Sequence, residues 1–170
     1  MLRRAAAFAL LALLALLVAP TALAGTRDNA LEARVLVAIN DVRRAHALAP
    51  LQPSAQLGDA ARQHTTEMGA DGYFAHESAD HSVFWKRLAR WYEPAGWRYW
   101  TVGENLLWAS RDVTASRVVD MWMTSPEHRA NLLSSAWREI GLAAMRFDGA
   151  PGTYAGQSVT ILTADFGARR

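Results

Sequence analysis

Leu31, Val35, Ala38, Val42 and Ala45 recur at alternating steps of four and three. That spacing marks one face of a helix over about 28–48, with Asp28 as its N-cap. Pro50 and Pro53 break the chain after it. A second stripe, Leu57, Ala60, Ala61, His64 and Met68, predicts a helix from a Ser54 cap to about Ala70. Gly69 and Gly72 are expected to end it. His64 falls on the apolar face, whereas Asp59, Arg62 and Thr66 lie largely off it. A short helix is expected over Ser82–Arg90. A strand over Tyr99–Trp108 would put Trp100, Val102, Glu104, Leu106 and Trp108 on one face, with Glu104 a carboxylate among apolar neighbours. Asp112 is read as the cap of a helix to about Met123, and Ser125-Pro126 as the start of another through His128 to about Leu133. Strands over Glu139–Phe147 and Gln157–Phe166 close the domain, joined by the Gly/Pro-rich stretch Asp148–Gly156. This order implies an α+β fold with a helix-flanked, mainly antiparallel sheet.

The start of the chain has a different pattern. Arg3 and Arg4 precede fifteen apolar residues from Ala5 to Ala19, and the stretch ends Ala22-Leu23-Ala24. A basic start, an apolar run of this length and an Ala-x-Ala ending predict a signal peptide over 1–24, cleaved before Gly25. The run is short of the roughly 20 residues that span a bilayer. Residues 25–170 then form one domain, with no membrane span after leader cleavage, and the expected location is secreted or periplasmic. The whole chain has 18 Lys and Arg against 16 Asp and Glu. Two of the arginines lie in the leader and no acid does, so the remaining domain is balanced and shows no nucleic-acid footprint. There is no cysteine, which excludes a thiol nucleophile, cysteine metal ligands and a cysteine-linked lipid anchor.

Candidate chemistry centres on histidine. Of His46, His64, His76, His81 and His128, three stand out. His64 points inward, His76 follows a turn region, and His128 opens a helix. With Glu104 they make three imidazoles and a carboxylate, a donor set suited to zinc if the chain brings them together. The segment His76-Glu77-Ser78-Ala79-Asp80-His81 is a poor copy of the zinc-protease helix motif. Residues five apart are about 500° apart around a helix and do not share a face. Gly156-Gln157-Ser158-Val159 lacks the second glycine of a serine-hydrolase elbow. Residues 73–111 hold five of the seven tryptophans. They are read chiefly as core and rim, with Trp91, Tyr92 and Trp97 expected to be partly exposed. The alternative reading of this region is a stacking platform for sugars or lipid headgroups.

Several short motifs occur together in order: Ile39-Asn40-x-x-Arg43, Ala60-Ala61-x-x-His64-x-x-x-Met68, Gly72-Tyr73-Phe74-x-His76-x-Ser78, Arg87-Leu88, Gly103-Glu104-Asn105-Leu106, Ser125-Pro126-x-His128-Arg129-x-Asn131 and Asp165-Phe166-Gly167. Through them the chain resembles a bacterial member of the CAP superfamily, the SCP-like extracellular domain of cysteine-rich secretory, antigen 5 and pathogenesis-related proteins. The resemblance spans nearly all of residues 31–167.

The resemblance implies a three-layer α/β/α sandwich with a central, mainly antiparallel sheet and a His/Glu cleft. It assigns His76 and His128 as metal ligands, with Glu104 either a further ligand or the group that orients a bound water. His64, Glu127, Asn105 and Ser125 are expected around them. Other family members supply a second cleft glutamate from the helix before His128; here that helix ends Met121-Trp122-Met123-Thr124, and Asp120, Glu127 or His64 are the possible substitutes. The implied cofactor is Zn2+ or another divalent metal, weakly bound, with affinity falling as the pH drops towards about 6. The leading functional reading is a non-enzymatic or weakly enzymatic exported domain that binds a cell-envelope or extracellular ligand, whether lipid, glycan or protein. The alternatives are a metal-dependent hydrolase with Glu104 as general base, and a lipid-binding module using the aromatic region.

Overall fold

A computed structural model describes residues 25–170; the expected leader, residues 1–24, lies outside the described residues. Strand β1 (Thr26–Arg27) leads into helix α1 (Asn29–Ala45), then β2 (Gln52–Pro53), α2 (Ala55–Asp71) and α3 (Phe84–Trp91). Strand β3 (Trp100–Ser110), helices α4 (Ala115–Thr124) and α5 (Pro126–Leu132), and strands β4 (Glu139–Ala150) and β5 (Gln157–Arg169) complete the chain. The sheet runs β1-β4-β5-β3 with antiparallel neighbours, and β2 adds to β4 in parallel. The α+β expectation is met. Helices α2 and α3 cover one face of the sheet, packing on β3 residues Trp100, Val102, Leu106 and Trp108. Helices α1, α4 and α5 cover the other, around Leu107, Trp122, Leu162 and Phe166.

The local signals hold in part. The Asp28 carboxylate accepts from the Leu31 amide at 3.0 Å, and Ser54 caps α2. The buried face of α1 is Leu31, Val35, Ile39 and Arg43 rather than the purely apolar stripe. Arg43 belongs there because its guanidinium donates to the carbonyls of Ala49, Leu132 and Ser134 at 2.8–3.0 Å. Helix α2 continues through Gly69 and stops at Gly72, which takes φ 75°. Gly69 is not a terminator: a Cβ there would lie 2.2 Å from the Phe147 ring, so its missing side chain lets α2 approach β4. Helix α4 is capped by Thr114, not Asp112, which sits in the turn after β3. Ser125 occupies the N-cap position of α5 without a side-chain cap bond. Strands β1 and β2, at two residues each, are too short to leave a periodic pattern.

The approach of α2 to the sheet is tightest at Gly141, where a Cβ would meet the Leu57 carbonyl carbon at 2.0 Å. Backbone cannot move aside as a side chain can. Gly141→Ala is therefore expected to cost about 3 kcal/mol or more. Gly58→Ala, inside α2 with nothing within 4 Å of the new methyl, should instead stabilise by roughly 0.5–1 kcal/mol. Urea midpoints of the two variants measure both effects.

Candidate functional site

Glu104 projects from the middle of β3 on the α2/α3 side and is only 4% exposed. A carboxylate this deep needs partners, and the chain supplies two. His76, in the loop between α2 and α3, donates from Nδ1 to Glu104 Oε1 at 2.8 Å. Arg87 of α3, also buried, donates from Nη2 to Glu104 Oε2. Its Nη1 reaches Ser78 Oγ at 2.9 Å and the His76 carbonyl at 3.3 Å. One guanidinium thus ties helix, loop and strand together.

His64 braces the loop from below. It is fully buried on α2, and its Nε2 lies 2.9 Å from the Ala75 carbonyl. A carbonyl only accepts, so Nε2 carries the proton and Nδ1 is left to accept from the Tyr73 hydroxyl at 3.5 Å. Burial pushes the His64 pKa down to about 4, so the ring is neutral. On the other side of the cleft, His128 stands in the first turn of α5, half-buried. Asn105, on the opposite face of β3 from Glu104, donates to the His128 carbonyl at 3.0 Å. Asn131 donates to Asn105 Oδ1 at 2.9 Å and to the Glu104 carbonyl at 3.1 Å. These bonds register α5 on β3.

The resulting cleft has a volume of about 600 Å3. His76, Glu77, Glu104, Glu127, His128 and Asn131 provide its polar wall, and Val83, Phe84, Trp85, Val102 and Trp137 its apolar wall. Trp85 and Val83 are 46% and 40% exposed. A groove of similar size between the N-termini of α1 and α2 contains no histidine, and its Arg27–Glu32 and Arg62–Asp59 charges pair with one another.

Of the expected residues, His76, Glu104, Glu127 and His128 meet in the cleft. His64 lies beneath it, Asn105 behind it, and Ser125 and Asp120 do not line it. His46 is exposed at the end of α1, and His81 faces a separate cavity. Tyr92, expected to be partly exposed, is fully buried, its hydroxyl donating to the Glu139 carboxylate; Trp91 and Trp97 are exposed as expected.

Two further residues, Arg87 and Asp165, take part in the site. Arg87 is a charge inside the apolar spacing Phe84, Leu88, Trp91, and Asp165 is an acid inside the apolar run Val159–Phe166. A charge on an otherwise buried stripe was the available signal in both cases. Asp165 is fully buried opposite Glu104.

The electrostatics follow from this geometry. Burial pushes the Glu104 carboxyl up, but the His76 hydrogen bond and the Arg87 charge outweigh it and hold the group below its ordinary range. The bond to Glu104 raises the His76 pKa, whereas burial and the His76 charge lower that of His128.

Among the described residues, no three His, Asp or Glu side chains are grouped as a metal site. Each Glu104 oxygen already accepts one hydrogen bond, from His76 and from Arg87. What remains suited to a metal is a pair of imidazoles in one cleft. His76 has its Nδ1 held by a carboxylate and its Nε2 without a protein partner among the described residues. A carboxylate behind a ligating imidazole is how metal-binding histidines are oriented.

A helix-covered antiparallel sheet with a loop histidine, a strand glutamate and a helix histidine in one cleft has the form of an SCP-like domain. The chain belongs to the CAP, or cysteine-rich secretory protein, family, whose sequence profile matches residues 36–163. It is similar to the uncharacterized protein YkwD of Bacillus subtilis strain 168, 32% identical over 114 residues, which are 67% of this chain and 42% of that protein. It is also similar to the uncharacterized membrane protein YlbC of the same strain, 29% identical over 115 residues, 68% of this chain and 32% of that protein. The chain thus spans less than half the length of these relatives. An extracellular SCP-domain protein from Bacillus anthracis superposes with a TM-score of 0.62 at 25% identity, covering 82% of this chain and 40% of that one. An outer surface protein from Borrelia burgdorferi superposes with a TM-score of 0.64 at 18% identity, covering 86% of this chain and all of that one. Among the described residues no helix is long and apolar enough to cross a membrane.

Proposed function

We propose that the protein is an exported binding domain, secreted or periplasmic. Its cleft takes a cell-envelope or extracellular ligand and holds a divalent metal ion through His76 and His128. The observation that carries this reading is the orientation of His76: Glu104 accepts the hydrogen bond from its Nδ1 behind, and its Nε2 is left for the cleft that His128 shares. The signal-peptide pattern expected over residues 1–24 and the likeness to an extracellular SCP-domain protein support the location. A bound Zn2+ would supply a Lewis-acidic position for a ligand oxygen. The apolar wall of Val83, Phe84 and Trp85 would seat the rest of the ligand. Binding is favoured over hydrolysis because Glu104, the candidate general base, is buried with both oxygens bonded and is not free to take a proton from water.

The test is calorimetric titration of zinc into chelator-treated protein. His76→Ala and His128→Ala should abolish binding, while His46→Ala and His81→Ala should leave it nearly unchanged. Affinity should fall with falling pH and begin to fall above the ordinary imidazole value of about 6.5, because Glu104 makes His76 hold its proton more tightly. Parent-like binding by the His76 and His128 variants would refute the assignment.

A further inference from the structure

Asp165 is an unusual residue to find where it is. It is completely buried on β5, and neither of its oxygens accepts a hydrogen bond. In the antiparallel ladder it stands directly opposite Glu104 on one side and Gly141 on the other. Directly opposed residues point to the same face with their Cβ atoms about 4.5–5.5 Å apart, and Gly141 offers no side chain. The charged and titratable groups that act on Asp165 are Glu104 on β3 and Arg87 on α3, with His64 on α2 and His76 acting in turn on Glu104. Arg87 directs both terminal nitrogens elsewhere, to Glu104, Ser78 and the His76 carbonyl, and its buried Nε bonds to no group, Asp165 included. His64 directs its proton to Ala75. An ionised carboxylate here would have no donor bonded to it and a like charge beside it.

We propose that Asp165 is a neutral carboxylic acid whose proton is donated to Glu104, which makes it a positioning residue for His76. The proton falls on Asp165 rather than Glu104 because Glu104 already receives the His76 and Arg87 donors. Burial and the Glu104 charge both push the Asp165 carboxyl well above the ordinary range, in agreement. Held from three sides, Glu104 keeps its Oε1 aimed at His76 Nδ1, and His76 keeps its Nε2 lone pair in the cleft. This inference deepens the proposed site and rests on that cleft geometry, but it is measured without zinc, so its failure is separable from failure of metal binding.

The experiment uses zinc-free protein labelled with 13C at the carboxyl groups and 15N in the histidine rings. The Asp165 carboxyl carbon, assigned as the signal absent from Asp165→Asn, should stand at its protonated position at neutral pH. Asp165→Asn retains an N–H donor for Glu104 and should keep His76 protonated at Nδ1. Asp165→Leu has similar bulk and no donor, and should lose that preference so that both His76 tautomers appear. An ionised Asp165 at neutral pH, or a Leu variant with the parent tautomer ratio, would overturn the proposal. If the Leu variant does not fold, the carboxyl position in the parent decides alone.

Discussion

Arg87→Met is expected to cost about 3–5 kcal/mol of folding stability, the range found when one partner of a buried ion pair is removed. Arg87 and Glu104 are 1% and 4% exposed. Methionine fills much of the arginine stem's volume, so the loss is chiefly electrostatic. Glu104 would lose its one guanidinium partner, keep the His76 hydrogen bond, and take up a proton more readily. The Ser78 and His76 carbonyl bonds would go as well, loosening the loop that carries His76. The combined variant Arg87→Met with Glu104→Gln should recover part of the loss, because the stranded charge is gone. Urea unfolding of the parent, the single variants and the pair measures the cycle. A single-variant loss below about 1 kcal/mol would mean that Glu104 is not the charge Arg87 serves.

The second large effect is acid lability from His64. In the unfolded chain this imidazole titrates near 6.5, while in the fold burial holds it to about 4. Between those values the unfolded state binds a proton that the folded state refuses. Its stabilising contribution is therefore complete above pH 6.5 and is lost as pH falls through the window to about 4, a loss of roughly 3 kcal/mol. His76 has the opposite sign. Its raised value gives stability that is present at lower pH and lost as pH rises through its folded value, and its half-exposed ring keeps that contribution small. His64→Gln keeps a donor for the Ala75 carbonyl and removes the titration. Stability measured from pH 7 to pH 4 should fall less steeply in this variant than in the parent. Parallel curves would assign the acid sensitivity to other groups.

Much of this arrangement was legible in short-range pattern. The stripe through His64 implied its burial, the alternation through Glu104 placed that carboxylate on an apolar face, and Asp28 and Ser54 capped the helices that follow them. Each of these depends on a period or on a neighbour three residues away. The gaps arise where the cause is remote. Gly69 reads locally as a helix end, but its role is set by Phe147 in β4. The meeting of His76, Glu104 and His128 depends on α5 being registered on β3 by Asn105 and Asn131, which no spacing along the chain encodes. Arg43, Arg87 and Asp165 were hidden by the assumption that buried faces are apolar. All three are buried polar groups, and for the two arginines the reason, several carbonyl or carboxylate acceptors, lies on other elements.

In the proposed site Glu104 orients His76 so that its Nε2, together with His128, holds a metal ion, and the ring 15N signals of all five histidines, recorded before and after zinc is added, report on each of those atoms. In the zinc-free protein at mildly alkaline pH, His76 should be protonated at Nδ1 and bare at Nε2. Zinc should then shift Nε2 of His76 and one ring nitrogen of His128, and leave His46, His64 and His81 where they were. A His76 ring protonated at Nε2, or a zinc shift confined to His46 or His81, would rule out a metal site on His76 and His128.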